Sequence, residues 1–315
     1  MQSAIVTGGL GFIGSHLVEY LVASGAEVIV LDNLSTGRRA NLPLSLNKSV
    51  RIIETDVCEP WPTPQLPAWV DAVFHLASPA SPRQYRRLSV ETLLANSCGT
   101  KNALDWAKRS KARFVFTSTS EVYGDPAVSP QPESYWGNVN PVGLRSCYDE
   151  SKRFGEALTM EYVRKFDVDA RIVRLFNCYG PRMQADDGRV IPTFAAQVLS
   201  GAPITIFGSG SQTRSFCFVS DEVSAIYRMA QTPNLSGEIV NIGSPEPLTI
   251  IELAQMMCHL AGTRPDLEFQ PVPPDDPTHR CPNIDKARHL LQWDPRVALA
   301  DGLSATLEYF RELLA

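Results

Sequence analysis

Glycines at positions 8, 11 and 14 are the feature that most limits what this chain can fold into. A short apolar run, residues 3–6, leads into Gly8, and apolar residues at helical spacing follow Gly14. A second apolar run, EVIVLD, then ends in Asp32. Strand, glycine-rich turn, helix and strand together predict a βαβ unit. In such a unit the glycines let the backbone approach a pyrophosphate, which lies at the positive end of the helix.

Asp32 decides which dinucleotide this unit is expected to bind. It stands at about the twenty-residue offset at which an acidic side chain binds the ribose hydroxyls. A carboxylate there would repel the 2′-phosphate of NADP, whereas Arg38 and Arg39 nearby would attract it. On balance the sequence favours NAD. The alternative, a tight turn with a solvated Asp, is disfavoured by the complete βαβ context.

Four further apolar runs continue the alternation of strands and helices: RIIETD (51–56), AVFHLA (72–77), RFVFTST (113–119) and RIVRLF (171–176). Segments of helical length lie between them, notably 89–109 and 148–166. This alternation predicts an α/β protein with a Rossmann-type, doubly wound parallel sheet. Ligands bind such sheets at the carboxyl ends of the strands. The cofactor-binding residues expected there are Gly8, Gly11, Phe12, Ile13, Gly14, Asp32, Asn33, Asp56, Val57, Leu76 and Ala77.

A chain of 315 residues is too long for one compact core and suits two domains of unequal size. We expect an NAD-binding domain over residues 1–177 and a smaller α/β substrate-binding domain over residues 178–315. A strand near 238–243 is expected to return to the first sheet, so the boundary is not a single cut. Segment 270–282, with five prolines, is expected to be irregular.

Composition excludes several classes of function. The net charge of −5 gives no electrostatic support for a nucleic-acid partner. No apolar window reaches about 18 residues, so no membrane span is expected, and the first strand begins too near Met1 for a signal peptide. Seven cysteines without CxxC spacing indicate a reduced, cytoplasmic protein without disulfides. The five histidines are not spaced as metal ligands, so no metal is expected.

Tyr148 and Lys152 stand four residues apart in a predicted helix and would share one of its faces. A free tyrosine, with a pKa of about 10, is a poor base at neutral pH. A lysine ammonium beside it would favour the phenolate and lower that pKa. The pair would then take a proton from a sugar hydroxyl. By itself this spacing is common, and an exposed helix carrying both residues by chance is the alternative.

Longer motifs remove that ambiguity. TGGLGFIG, TSTSEVYGDP, YWGNVNPVGLRSCYDESKR, LFNCYGPRM and SGSQTRSF resemble motifs of the extended short-chain dehydrogenase/reductases, and within them the UDP-glucuronate decarboxylases. The resemblance covers nearly the whole chain. It implies that Tyr148 is the catalytic base, that Lys152 tunes it and binds the nicotinamide ribose of NAD with it, and that Thr119 hydrogen-bonds the reacting oxygen of the substrate. It also implies a homodimer that packs segments 89–109 and 148–166 into a four-helix bundle.

The implied reaction begins when C4 of the sugar gives a hydride to NAD while Tyr148 takes the hydroxyl proton. The C6 carboxylate, now β to a ketone, leaves as CO2. Protonation at C5 and return of the hydride give UDP-xylose, without net redox.

Ser120 and Glu121 help to choose among relatives. Sugar-nucleotide 4,6-dehydratases carry an Asp–Glu pair there, because a leaving hydroxyl needs an acid. Ser120 therefore favours decarboxylation, and Glu121 is mildly unexpected for a C4 epimerase. We hypothesise that Glu121 positions a water or supplies the C5 proton. The alternative is a structural hydrogen bond at the end of a strand.

Several arginines are candidates for binding an anionic substrate. Arg214 resembles either an arginine near the departing carboxylate or one that binds the nucleotide phosphates, and Arg280 is expected at the diphosphate. The full set of predicted substrate-binding residues is Tyr85, Thr119, Asn177, Arg182, Arg189, Arg214 and Arg280. Two alternatives to a UDP-glucuronate decarboxylase stay open: another nucleotide-sugar epimerase, dehydratase or decarboxylase, and a non-catalytic NAD-sensing regulator.

Overall fold

The structure, a computed structural model, describes residues 1–272 and 279–314. Asp275 and Asp276 of the predicted irregular segment lie outside the described residues. The strands are β1 (Ser3–Thr7), β2 (Glu27–Asp32), β3 (Val50–Glu54), β4 (Ala72–His75), β5 (Arg113–Thr119), β6 (Ala170–Leu175), β7 (Cys178–Tyr179), β8 (Ile204–Phe207), β9 (Thr213–Ser215), β10 (Cys217–Phe218), β11 (Ile239–Ile242), β12 (Pro247–Thr249), β13 (Leu267–Gln270) and β14 (His279–Arg280). The α-helices are α1 (Phe12–Ala23), α2 (Pro82–Arg87), α3 (Ser89–Leu94), α4 (Thr100–Ser110), α5 (Ser146–Phe166), α6 (Val190–Ser200), α7 (Val219–Gln231), α8 (Ile250–Ala261), α9 (Asp285–Leu291) and α10 (Leu299–Leu314).

Within the described residues, seven strands form one sheet in the order β11–β6–β5–β4–β1–β2–β3, and every neighbouring pair is parallel. The chain runs outward from β1 through β2 to β3, crosses to β4 on the other side of β1, and continues through β5 and β6. The predicted doubly wound sheet is confirmed. Because the direction reverses between β1 and β4, a crevice opens at their carboxyl ends.

Both faces of this sheet are covered by helices, which explains why its central strands β1 and β4 are buried along almost their whole length. Val6 and Phe74 belong to one buried cluster with residues of α1 and α7. Their strand neighbours Ile5 and Val73 belong to a second cluster with residues of α4 and α5. Successive side chains of a strand point to opposite faces, so the two clusters are the two sides of the sheet.

The predicted helical segment 89–109 is divided in the structure. After α3 a π-helical turn, Ala95–Gly99, precedes α4. Asn96 in this turn donates its side-chain N–H groups to Ser78 Oγ at 2.9 Å and to Ser151 Oγ at 3.0 Å. The turn thereby ties α5 to the loop after β4, and both border the crevice.

The chain after β6 builds a smaller part with its own core. A third apolar cluster includes Phe194 of α6, Ile206 of β8, Leu253 of α8 and Leu307 of α10. Two small sheets, β13–β8 and β12–β9–β14, belong to this part. Strand β11 instead lies beside β6 in the large sheet. The domain boundary expected at residue 177 stays a prediction.

In the described ranges no helix is long and apolar enough to cross a membrane. All seven cysteines are free thiols.

Candidate active site

A cavity of about 650 Å³ lies at the carboxyl ends of the sheet strands, and residues of the smaller part line its far side. Every residue that the sequence proposed for the site lines it. On the cofactor side these are Gly8, Gly11, Phe12, Ile13, Gly14, Asp32, Asn33, Asp56, Val57, Leu76, Ala77, Tyr148 and Lys152. On the substrate side they are Tyr85, Thr119, Ser120, Glu121, Asn177, Arg182, Arg189, Arg214 and Arg280. Their individual roles remain predictions.

The glycine-rich turn between β1 and α1 has room only for glycine. Gly8 has a φ of +69°, and a Cβ there would lie 2.8 Å from Ala77 Cα. A Cβ on Gly14 would lie 2.1 Å from the carbonyl oxygen of Gly8. The backbone therefore passes close beneath the cavity and brings the amino end of α1 to its wall. This is the arrangement that a dinucleotide diphosphate requires.

Asp32 is held in place at the end of β2 by the turns on either side. Its Oδ2 accepts the Leu10 N–H at 2.9 Å, and its Oδ1 accepts the Leu34 N–H at 2.8 Å. Burial raises the pKa of Asp32, and these two amides oppose the rise. Neither Arg38 nor Arg39 is among the described residues that line the cavity. The side that would receive the adenosine ribose thus presents a carboxylate, as NAD requires.

Lys152 and Tyr148 lie on one face of α5, but they do not interact as the sequence suggested. Lys152 is 3% exposed, and its Nζ donates to the Thr117 carbonyl oxygen at 2.7 Å. That Nζ lies 6.0 Å from the Tyr148 ring centroid. Burial lowers the pKa of Lys152 to about 7, and Glu156 opposes this.

The expected lowering of the Tyr148 pKa is therefore wrong for the chain alone. Burial raises the pKa of this phenol, and the Thr119 hydroxyl only partly opposes the rise. The physical reason is desolvation, because the ring is 7% exposed and the lysine cation is directed at a carbonyl.

Glu121 lies between two arginines at the wall of the cavity. Arg280 donates to both of its oxygens, at 2.6 and 2.8 Å, and Arg145 donates to Oε2. Burial raises the Glu121 pKa, but the two arginines outweigh it and lower the pKa to about 2. An ion-paired carboxylate carries no proton at neutral pH. The geometry therefore contradicts the hypothesis that Glu121 supplies the C5 proton, whereas a water-positioning role stays a prediction.

Arg214 and Arg280 are neighbours across β9 and β14. They are 7% and 6% exposed, and both line the cavity. Arg214 donates to the Thr213 carbonyl oxygen at 2.9 Å. Two arginine cations thus meet at one wall, where they suit an anionic ligand.

Three other residues predicted to bind substrate form hydrogen bonds or ion pairs within the protein. Asn177 donates to the Ser215 carbonyl oxygen at 2.9 Å. Arg182 donates to Glu19 of α1 at 2.6 Å. Arg189 donates from Nε and one terminal nitrogen to Asp187, at 2.8 and 2.6 Å. Arg182 and Arg189 thereby stabilise the loop between β7 and α6, and both line the cavity.

Sequence reasoning missed three elements of this site. Arg145 precedes Tyr148 by three residues, and only its place inside the motif GLRSCY could have pointed to it. Asp149 follows Tyr148 and is buried. Gln184 bridges two segments over the cavity, accepting from Gln84 at 3.1 Å and donating to the Thr36 carbonyl oxygen at 2.8 Å.

Among the described residues, no three His, Cys, Asp or Glu side chains come together in an arrangement that could hold a metal. The expectation of no metal remains a prediction.

A family model described as the NAD dependent epimerase/dehydratase family matches residues 4–243. Among curated relatives, UDP-glucuronic acid decarboxylase 4 of Arabidopsis thaliana is 49% identical over 312 residues, which are 98% of this chain and 68% of that protein. UDP-glucuronic acid decarboxylase 1 of Danio rerio is 47% identical over 311 residues, 98% of this chain and 73% of that protein. Among solved structures, a mutant UDP-glucuronic acid 4-epimerase from Bacillus cereus was crystallised with UDP-4-deoxy-4-fluoro-glucuronic acid and NAD. It matches this fold with a TM-score of 0.90 at 30% identity, over 99% of this chain and 100% of that chain.

Proposed function

The chain belongs to the NAD dependent epimerase/dehydratase family, and we propose that it converts UDP-glucuronate into UDP-xylose and CO2. The observation that carries this proposal is the 49% identity to a UDP-glucuronic acid decarboxylase along 98% of the chain. When bound, NAD would supply a hydride acceptor that returns the hydride in the same turnover. The cavity provides groups for each other part of the chemistry.

The residues of the cofactor side fit NAD. The close approach of Gly8 and Gly14 leaves the amino end of α1 open to a diphosphate. Asp32 would accept hydrogen bonds from the ribose hydroxyls at the end of β2. Lys152, fixed by the Thr117 carbonyl, would bind the nicotinamide ribose.

Tyr148 would take the proton of the C4 hydroxyl. As a buried phenol it needs a nearby cation to release its own proton. Lys152, whose Nζ lies 6.0 Å from the ring and is directed at the Thr117 carbonyl in the chain alone, would supply that charge once its ammonium turns toward the phenol. Thr119 lines the cavity beside it. The Thr119 hydroxyl would hydrogen-bond the same substrate oxygen and fix the sugar for proton removal.

Loss of CO2 leaves negative charge on that oxygen, as an enolate. The hydroxyl groups of Thr119 and Tyr148 would stabilise it as donors. Ser120, 3% exposed in the cavity wall, offers no acid for a leaving hydroxyl. CO2 needs none, so this wall suits decarboxylation better than dehydration.

The wall formed by Arg214 and Arg280 would bind an anionic part of the substrate. As neighbouring planar cations they would match either the nucleotide diphosphate or the sugar carboxylate. Arg280 is also the partner of Glu121, so it would serve the substrate while it holds that carboxylate.

The test is an NMR analysis of products formed from UDP-glucuronate by the purified protein without added NAD. We expect UDP-xylose and one CO2 for each sugar consumed. Tyr148→Phe should lower kcat by about 10²-fold or more, the range of general acid–base catalysis, while NAD binding persists. Tyr20→Phe, an exposed tyrosine on α1, is the matched control and should change neither. An absence of CO2, or reduced nicotinamide formed with every sugar, would overturn the proposal.

A second candidate is C4 epimerisation of UDP-glucuronate, because the fold matches a UDP-glucuronic acid 4-epimerase with a TM-score of 0.90. The same experiment separates the two activities. An epimerase would form UDP-galacturonate and keep the carboxylate.

We further propose a homodimer through α3 and α5, which pack against each other. Large apolar side chains on these helices are 42–60% exposed: Val90, Leu93, Leu94 and Phe154. A paired copy would cover them. Sedimentation at micromolar concentration should show a dimer, and Phe154→Glu should give a monomer. A monomeric parent protein would overturn the pairing.

Seven free thiols support a reducing compartment, and we propose the cytoplasm. Cell fractionation that placed the protein in an oxidising compartment would contradict this.

A further inference from the structure

The proposed reaction, on which this inference rests, consumes one solvent proton per turnover. When the C6 carboxylate leaves as CO2, the electrons of the broken C5–C6 bond end in a new C5–H bond, and a proton completes that bond. The proton that Tyr148 takes from the C4 hydroxyl returns to the same oxygen when C4 is reduced. A different donor, connected to solvent, has to supply C5.

Glu121 is the carboxylate nearest in sequence to Thr119, yet it is not suited to this task. Arg280 and Arg145 hold it as an ion pair. Although burial raises its pKa, these cations lower the pKa to about 2. The proton that reaches C5 must therefore come from a group other than Glu121.

A second cavity of about 60 Å³ adjoins this ion pair. Glu121 and Arg145 line both cavities and separate them. The other residues around the smaller cavity are Gly124, Asp125, Asn138, Asn140, Gly143 and Asp149. Carboxylate and amide side chains stand among these lining residues, and a water occupies about 30 Å³ in the liquid. The smaller cavity therefore has both the room and the polar groups to hold water.

Asp149 connects the smaller cavity to α5, the helix that carries Tyr148. It follows Tyr148 in the first turn of α5, so the two side chains leave the helix about 100° apart. Tyr148 lines the main cavity and Asp149 the smaller one. Asp149 is 6% exposed, and its Oδ2 lies 3.9 Å from Arg145 Nε. Its Oδ1 has no hydrogen-bond partner among the residues that the structure describes.

The charges around Asp149 leave it able to change protonation near neutral pH. Burial raises the pKa of Asp149 to about 7 and the negative charge of Glu121 adds to the rise, while Arg145 and Arg280 oppose it. Glu150 on the same helix raises the pKa further, and Asp125 also lines the smaller cavity. A group with such a pKa both accepts and donates protons under working conditions.

We propose that Asp149 and the smaller cavity form the path by which a solvent proton reaches C5. Oδ1 of Asp149 holds the proton, and water in the smaller cavity passes it beside Glu121 and Arg145 to the sugar. Asp149 regains a proton from solvent after each turnover. It acts through water and is a positioning residue for the proton, not a group that touches substrate.

Asp149→Asn tests this path because it preserves shape and removes the titrating proton. We expect kcat for CO2 release to fall about 10²-fold, with KM within about twofold. Wild-type kcat should decline as pH rises above 7, since the protonated acid is then lost, and this decline should disappear in the variant. The solvent deuterium isotope effect on kcat should be larger in Asp149→Asn than in the wild type, because proton delivery becomes rate-limiting in the variant. Glu161→Gln, an exposed acid further along α5 that does not act on the Asp149 pKa, is the control and should leave kcat, its pH profile and the isotope effect unchanged.

A purely structural role predicts a different outcome. If Asp149→Asn keeps wild-type kcat, or loses rate with an unaltered pH profile and isotope effect, the path is overturned. Asp149→Glu keeps a carboxyl group in the cavity and should retain the pH dependence. A folded Asp149→Glu enzyme with pH-independent kcat would overturn the path even if the Asn variant did not fold. Failure of the parent protein to release CO2 is a separate result, which removes the proposed function itself.

Discussion

The rings of Tyr85 and Tyr148 stack face to face, with centroids 5.2 Å apart and planes at 6°. Tyr85 is 1% exposed and comes from α2, whereas Tyr148 comes from α5. The hydroxyl of Tyr85 lies buried at the cavity wall, and residues 1–272 and 279–314 offer it no hydrogen-bond partner. The ring and the hydroxyl can therefore have separate functions: the ring fixes the orientation of the base, and the hydroxyl is available to a sugar.

Substitutions at Tyr85 should separate these functions. Tyr85→Phe keeps the stack and should leave kcat within about twofold, while KM rises about three- to tenfold from one lost hydrogen bond. Tyr85→Leu loses the aromatic pair, worth about 0.5–1.5 kcal/mol, and should lower kcat up to about tenfold as well. Steady-state kinetics with UDP-glucuronate measure both effects. Equal kcat for the two variants would show that stacking does not orient Tyr148.

Gln184 joins two other segments at the wall of the cavity. Its side chain donates to the Thr36 carbonyl oxygen at 2.8 Å and accepts from Gln84 Nε2 at 3.1 Å. Since Ser35, Thr36 and Gln184 all line the cavity, we expect this contact to help retain a bound dinucleotide. Removing both bonds with Gln184→Ala, at about 1 kcal/mol each, should speed NAD dissociation about tenfold or more.

Release of NAD on dilution, followed by fluorescence, measures this rate. Gln231→Ala removes one side-chain hydrogen bond to Tyr227 on α7 and should leave the rate unchanged. An unaltered rate in Gln184→Ala would mean that the bridge does not retain the cofactor.

The sequence predicted the sheet and the cavity well because both follow from local patterns. Apolar runs alternating with helical segments indicate a parallel sheet, and the carboxyl ends of its strands must meet at one edge. The partners of the charged groups could not be predicted in this way. Arg280 lies 159 residues from Glu121 and reaches it only through the pairing of β14 with β9. Lys152 was expected beside a phenolate, but its partner is a carbonyl at the end of a strand, Thr117.

Arg174 and Glu156 form a buried ion pair beneath the site. Arg174 donates to Glu156 at 2.8 and 2.7 Å, and Ser118 donates to the same carboxylate at 2.6 Å. The two side chains are 10% and 11% exposed. Arg174→Met would leave Glu156 as an uncompensated buried charge, which should lower the free energy of unfolding by about 3–5 kcal/mol.

Denaturation in urea checks this value. Arg164→Met is the matched control, because the Arg164–Glu161 pair is 63% and 62% exposed, and it should change stability by less than about 0.5 kcal/mol. If the two variants lost similar amounts of unfolding free energy, burial would not be what determines the contribution of the Arg174–Glu156 pair to stability.

The buried carboxyl group of Glu222 should make the stability of the protein fall as pH rises. In the first turn of α7 it is 0% exposed, and within the described chain neither carboxyl oxygen has a hydrogen-bond partner. Burial raises its pKa well above the ordinary 4.5, and Cys178 and Arg189 oppose this only in part. The folded protein therefore keeps a proton that the unfolded chain loses above pH 4.5. Because the unfolded state then binds fewer protons, stability falls as pH rises, by up to about 1.4 kcal/mol per pH unit, until the folded pKa is reached.

Glu222→Leu should remove this penalty. The neighbours Val219, Val223 and Ile226 are buried and apolar, so the variant should unfold at a higher temperature than the parent, and the difference should be larger at pH 8 than at pH 5. Glu308→Leu replaces an exposed acid on α10 and should shift the melting temperature by the same small amount at both pH values. A gain for Glu222→Leu that did not grow between pH 5 and pH 8 would mean that Glu222 ionises while buried, against the desolvation argument.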